Sequence, residues 1–355
     1  MPAVSVDTFF ACTLMVIVVL SAMAGASKII LPYVNNAVGL NAPERYEQLS
    51  KYVLLSAGAP SDWGQNGQAD PQVFGLGKAD SGNPYELDVD KVTRLNDENQ
   101  YSVSYADAFA SFGLPDVSFS LEIKPVFEVI TNLTAIFDAD NITVYQFEIL
   151  TEKDGAPVSA EIKCRIIAES YLNTADTIPS DGKVYQNITI PDSVNGPALL
   201  VAFARHAYDD RIVSYGSYAF AHNSTEPETR GTYLKLSPLN YLLNASIVHP
   251  ETNLSEAYAV TFDYSASLEQ VSRSNDSAVY QIPRFLDPSP VVIVLTGRNS
   301  TVFFAEWGAY PQVPTRFGAD FTNSASLSSI YAFTYMVKVG SVIYRCTVRL
   351  GGPRE

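Results

Sequence analysis

The sequence predicts an α+β chain that is mainly β, with one long N-terminal hydrophobic helix followed by two β-sandwich-like domains. Three observations carry this. Residues 8–27 (TFFACTLMVIVVLSAMAGAS) hold no charge and, as a helix, are long enough to span about 30 Å of hydrocarbon. In residues 158–166, Val158, Ala160, Ile162, Cys164 and Ile166 alternate with Ser159, Glu161, Lys163 and Arg165, the pattern of a strand with one buried and one wet face. Residues 331–339 and 342–350 are strand-like runs around Gly340-Ser341, a Gly-first hairpin turn. The alternating strands and helices of a parallel α/β fold are absent, and no internal repeat is evident.

Taken in order, the apolar run sits between Asp7 and Lys28. It reads as a secretory signal, with small-residue cleavage sites at residues 22–26, or as a retained anchor. The lack of Lys or Arg in residues 1–7 favours the anchor. Cys12 inside it reads as a small hydrophobe. Pro32 can end that helix. Asn41 as N-cap, Pro43 in the first turn and Glu44 open a second one. Tyr46, Leu49, Tyr52, Val53 and Leu55 give it an apolar stripe, and Gly58 is placed to cap it. Residues 56–84 are rich in Gly, Pro, Asn, Asp and Ser and read as an ordered loop pinned by Trp63 and Phe74. Residues 88–109 read as helix, and 117–130 as strand with Pro125 at an edge or bulge.

The remainder is strand-rich. Residues 143–151 and 158–166 flank Asp154-Gly155, a strong turn signal, and form a hairpin pattern. Val184, Gln186, Ile188 and Ile190 alternate with Tyr185, Asn187 and Thr189. Residues 197–205 (PALLVAFAR) read as a buried central strand and 213–221 as another. This order resembles the small Ig-like or prealbumin-like sandwich modules of surface proteins. Further strands are expected at 257–264, 278–282, 290–296 and 301–307, with 110–130 as a source of strands completing the last domain. The resulting division is 1–60, anchor helix and amphipathic helix; 61–131, a loop-rich connector with helix and strand; 132–222, an Ig-like sandwich; and 223–355, a second β-rich (Ig-like) domain.

A formal net charge of −15 over 355 residues repels nucleic acid, which is excluded as a partner. The sequon N-x-S/T occurs at Asn132, Asn141, Asn187, Asn223, Asn244, Asn253, Asn275 and Asn299, eight of the twelve asparagines beyond residue 131 and none of the seven before it. Such clustering points to N-linked glycans on an extracellular, cell-surface chain. The empty stretch 28–131 is expected to lie against membrane or neighbouring copies. Cys164 and Cys346 occupy inward strand positions, where they can pair in an oxidising exterior or remain independent buried thiols.

Chemistry is sparse. His206, His222 and His249 lack metal-ligand spacing, and no HExxH, GxSxG, CxxC, phosphate loop or dinucleotide fingerprint occurs. Asp138, Asp140 and Asn141 resemble the start of a Ca²⁺ loop without its Gly or distal Glu. No catalytic residue, metal or cofactor is expected.

The apolar run behind an acidic residue, together with residues 46–64 (YEQLSKYVLLSAGAPSDWG) and 85–109 (YELDVDKVTRLNDENQYSVSYADAF), resembles archaeal type IV pilin-like surface proteins over about the first third of the chain. Were the mature chain to start at Ala3, Asp7 would be its fifth residue, where pilins carry the acidic partner of a neighbour's N-terminal amine. The sequence departs from that pattern in having no basic leader before Ala3. The resemblance implies a structural, non-enzymatic subunit of an extracellular filament used in adhesion. Its N-terminal helices would pack in a homopolymer core after passage through the membrane, with glycosylated β domains outside. The rivals are a single-copy membrane-anchored receptor or carbohydrate-binding protein, in which the helix stays in lipid, and a secreted hydrolase with a carboxylate- and aromatic-lined cleft.

Overall fold

Where each apolar face is buried decides the architecture. The computed structural model describes residues 15–16, 42–321 and 330–352. The chain divides into two units, 1–49 and 50–355. In the first, Met15 and Val16 are helical, and residues 42–49 open α1 (Ala42–Leu55) with Pro43 and Glu44 in its first turn. In the second, the strands of the described residues gather into five sheets.

Four of these sheets are stacked. Sheet I contains β3 (Glu128–Ala139), β4 (Ile142–Lys153), β5 (Ala156–Pro157) and β9 (Lys183–Pro191). Sheet II contains β6 (Ser159–Ala168), β7 (Tyr171–Thr174), β8 (Ile178–Asp181), β10 (Ala198–His206) and β11 (Val213–Phe220). Sheet III is built from β14 (Thr252–Val260), β15 (Ser265–Ser267), β18 (Val291–Asn299) and β19 (Val302–Tyr310). Sheet IV is built from β12 (Leu234–Leu239), β13 (Leu242–Ile247), β16 (Glu269–Arg273) and β17 (Ser277–Gln281). Phe147, Ile149 and Ile188 of sheet I pack on Ile162, Leu200 and Ala202 of sheet II. The other face of sheet II, with Leu199, Val201 and Phe203, packs on Tyr258, Val260, Val292 and Val294 of sheet III. The far face of sheet III, with Ala259, Ile293 and Leu295, packs on Leu243, Ala245 and Tyr280 of sheet IV. The two inner sheets are therefore covered on both faces. This is why β10 and β18 read as unbroken apolar runs where an outer strand such as β9 alternates.

Sheet V contains β1 (Glu86–Leu87), β2 (Ser118–Pro125), β20 (Thr315–Gly318), β21 (Tyr331–Val339) and β22 (Val342–Gly351), in the order β1-β21-β22-β2-β20. The C-terminal hairpin forms around Gly340-Ser341 as its sequence dictates, and β2 pairs along its length with β22. Aromatic rings of the connector, Phe74, Tyr105 and Phe112, cluster on Phe119 and Phe317 of this sheet.

Several expectations are corrected. The fold class is mainly β, with 52% strand and 9% helix, and among the described residues the expected long apolar helix does not head it. No helix among the described residues is long and apolar enough to cross a membrane. Residues 8–14 and 17–27, with Asp7 and Cys12, lie outside the described residues. The outer part is a run of five sheets, four stacked on three shared cores, because strands such as β10 carry apolar side chains on both faces. Strands β4 and β6 do not pair as a hairpin. Asp154 and Gly155 make the left-handed turn (φ 51° and 82°), but β4 pairs β5 only to Glu152 and the chain then crosses from sheet I to sheet II at Val158. The helix expected over 88–109 is two short ones, α2 (Val89–Thr93) and α3 (Tyr105–Phe112), because Asp88 and Ser104 each cap a new start and turns fill the polar stretch between. The run 117–130 breaks after Pro125 into β2 and β3. In α1 Ser50, Val53 and Leu54 are fully buried, while Tyr52 and Leu55 stay exposed.

Candidate functional site

Sequons place chemistry on surfaces, so the faces they occupy matter first. In sheet I the inward side chains are Tyr145, Phe147, Ile149, Ile188 and Ile190. The alternation sets Asn132, Gln146, Glu148, Tyr185 and Asn187 on the outer face. There Tyr185 Oη donates to Glu148 at 3.0 Å, and Gln146 Nε2 to the Asn187 Oδ1 at 3.3 Å. Asn141 lies in the β3–β4 turn (φ 64°) and Asn223 (φ 49°) just after β11. Asn223 Nδ2 donates to the Asp192 carbonyl at 2.8 Å, and the Asp192 amide donates to the Asn141 carbonyl at 3.1 Å, so both sequons share one end of this sandwich. Buried His222 braces that end, 2.8 Å from Tyr145 Oη through Nδ1 and 3.1 Å from the Pro191 carbonyl through Nε2.

Asn253 is exposed on β14 and Asn275 in the β16–β17 turn. Asn244 and Asn299 are half-buried. Asn244 Nδ2 donates to Tyr101 Oη at 3.3 Å, and the side-chain oxygens of both residues are buried without a partner. Six of the eight sequon side chains are therefore exposed and two are partly enclosed. Cys164 and Cys346 are both free and buried in different sheets, so the pairing considered from sequence is not formed. Cys164 sits inside the core between sheets I and II. Cys346 faces Ile123 and Tyr335 in the register of sheet V. Burial pushes both thiols up to about 12.

Two features lay outside the sequence reading. One is a knot of buried charge on α2 and its C-cap, Arg94. Asp90 accepts from the Asn240 amide at 2.7 Å and from Tyr310 Oη at 2.8 Å, and burial raises its carboxyl. Lys91 Nζ donates to the carbonyls of Ala57 (2.8 Å) and Gly77 (3.0 Å). Arg94 donates to the carbonyls of Tyr101 (2.7 Å), Trp63 (2.5 Å), Asn66 (3.0 Å) and Ala69 (2.7 Å). Both cations also lie over the Trp63 ring, at 5.9 and 5.4 Å from its centroid, and burial lowers both. The loop expected to be pinned by Trp63 and Phe74 is thus held from inside by side chains that donate to its carbonyls. No sequence period marks these three residues.

The other is a cleft of about 430 Å³ along β19, bounded by residues 96–98, 230–236 and 312–314. Trp307 and Tyr215 line it. Glu306 accepts from the amides of Gly231 (2.6 Å) and Tyr233 (2.9 Å). Burial raises its carboxyl, against the pull of these amides. Arg230 pairs with Glu98 at 2.7 Å across the rim. Glu306 was legible in principle: it takes an inward position between Phe304 and Gly308, where the strand pattern calls for an apolar residue. A second hollow shares Asn96, Asp97, Glu98, Arg230 and Pro314 and continues to Arg316 and Asp320. Among the described residues no group of three or more His, Cys, Asp or Glu could hold a metal. No protein-family model matches this chain, and no curated protein matches it either.

Proposed function

We propose that this chain is a structural, non-catalytic subunit of an extracellular, type IV pilus-like filament. The apolar segment 8–27 mediates membrane passage and self-assembly, and the sequon-bearing sheets form the glycosylated exterior. The observation that carries the reading is the placement of the sequons. Six of the eight asparagines present exposed side chains, on the outer face of sheet I, on β14 and at turns, while the sequence between residues 28 and 131 carries no sequon. A surface of this kind tolerates glycans on one part and leaves another free for contact with membrane or neighbouring copies. The acidic balance of the chain suits a long-lived solvated exterior.

Electron microscopy of material sheared from source cells, with mass spectrometry of the mature N-terminus, tests the proposal. Filaments containing this chain with residues 8–27 retained are expected. Isolated copies confined to the membrane fraction would replace the filament with a receptor, and a soluble chain starting near Ser27 would replace it with a secreted protein. Peptide mapping should find glycans at Asn132, Asn141, Asn187, Asn223, Asn253 and Asn275, with low occupancy at the enclosed Asn244 and Asn299. Modified asparagines before residue 131 would overturn the assignment of that stretch to contacts.

A further inference from the structure

We infer that the cleft beside Trp307 is a binding site for a neutral saccharide. Its volume of about 430 Å³ falls in the range of small-ligand sites, roughly 300–1,000 Å³. The adjoining hollow shares Arg230 and Pro314 with the cleft, so the two are contiguous and together offer an oligosaccharide more than one subsite. The lining mixes opposite charges, Asp97 and Glu98 against Arg230 and Lys235, with the half-buried rings of Trp307 and Tyr215, which also pack on the core between sheets II and III. Sugars present this combination of needs, with hydroxyls that both donate and accept and C–H faces that pack on rings.

Other ligand classes fit less well. A phosphate or nucleotide would meet Asp97 and find both arginines of the groove already neutralised, Arg230 by Glu98 and Arg316 by Asp320. An apolar ligand would desolvate the Arg230–Glu98 pair and the Lys235 ammonium. A metal lacks a ligand cluster among the described residues.

The groups also divide by availability. Glu306 is committed to the amides of Gly231 and Tyr233 and acts as a positioning residue that fixes the 230–234 rim. Asp97 and Lys235 are exposed and engage no side chain among the described residues, which leaves them to meet ligand hydroxyls.

Saturation-transfer NMR and calorimetry on the full chain test the inference, with mannotriose, chitotriose and the protein's own enzymatically released N-glycans as probes. Saturable binding of at least one probe is expected, weakened at least tenfold in the Asp97→Ala/Lys235→Ala variant, whose substitutions lie on the surface and leave the thermal melt unchanged. Bound sugar should also protect Trp307 from acrylamide quenching, which is readable because Trp63 is fully buried. Binding of the released glycans alone would identify a second copy's glycan as the source, and binding of the free oligosaccharides an environmental one. Absence of binding by all three probes, or binding unaffected by the double substitution, would overturn the inference and leave the filament proposal, which microscopy decides, untouched.

Discussion

Residues 50–113, which run from the end of α1 through most of the connector, and the stack of sheets I–IV are ordered by opposite means. The stack is held by apolar strands: β10 sends Leu200 and Ala202 into one core and Leu199, Val201 and Phe203 into the next. The connector has little regular structure, and its loops converge on one five-residue helix whose Asp90 and Lys91, with Arg94 at its end, are buried. Repetitive strands satisfy their own backbone groups and need only apolar cover. Irregular loops leave carbonyls unpaired, and a buried cation with several donors satisfies many at once. Order without periodicity therefore demands charge in the interior.

The sharpest way to break this comparison is Arg94→Met. It keeps bulk and removes the donors to four carbonyls, so we expect a loss of about 3–5 kcal/mol in urea unfolding. Hydrogen exchange should show residues 57–77 opening before the sheets. An equal loosening of both regions would mean that the knot is not a local device. In the stack, Leu199→Ala and Leu200→Ala each remove a core side chain from opposite faces of one strand. Each should cost about 2–5 kcal/mol with exchange increased throughout sheets I–III.

A smaller effect separates the regions by pH. Glu86, at the edge of the connector, accepts from Asn83, Lys78 and Ser81 and lies 3.7 Å from Lys338. The Asn83 hydrogen bond leads the causes that hold its carboxyl down at about 2. A depressed carboxylate stabilises the fold above the ordinary glutamate value and loses that contribution as pH falls toward 2. Glu86→Gln should flatten the acid limb between about pH 4.5 and 2, by on the order of 1–2 kcal/mol after solvent screening. Glu306, raised by burial, contributes with the opposite sign: its stabilising share is complete at low pH and declines as pH rises through its folded value. The smallest effect concerns the thiols. Reductant should leave the melting temperature unchanged, and mass mapping should find Cys164 and Cys346 unlabelled by thiol reagents at pH 8 until the chain unfolds.

Much of the strand inventory was legible because strands obey local rules. Residues 331–339 and 342–350 announced a hairpin through a Gly-first turn, and the structure places β21 and β22 there to within a residue. Asn187 was expected on a wet face from alternation alone, and it is exposed. The same local reasoning failed where two readings share one pattern. The Asp154-Gly155 turn is real, but whether the strands beyond it pair or part depends on which core each joins. The cleft escaped notice because its walls come from segments more than a hundred residues apart, such as Asp97 and Lys235.

By itself, then, the sequence determined that this chain is rich in strands, where most of them run, which faces are wet, and where the sequons cluster. Each follows from the period of two, from turn chemistry or from simple counting. Only the tertiary structure decided that four sheets share three cores, that Asp90, Lys91 and Arg94 are interior, and that Glu306 accepts from the Gly231 and Tyr233 amides. These depend on contacts between distant segments, and no local period records which apolar face, or which buried carbonyl, another part of the chain will reach.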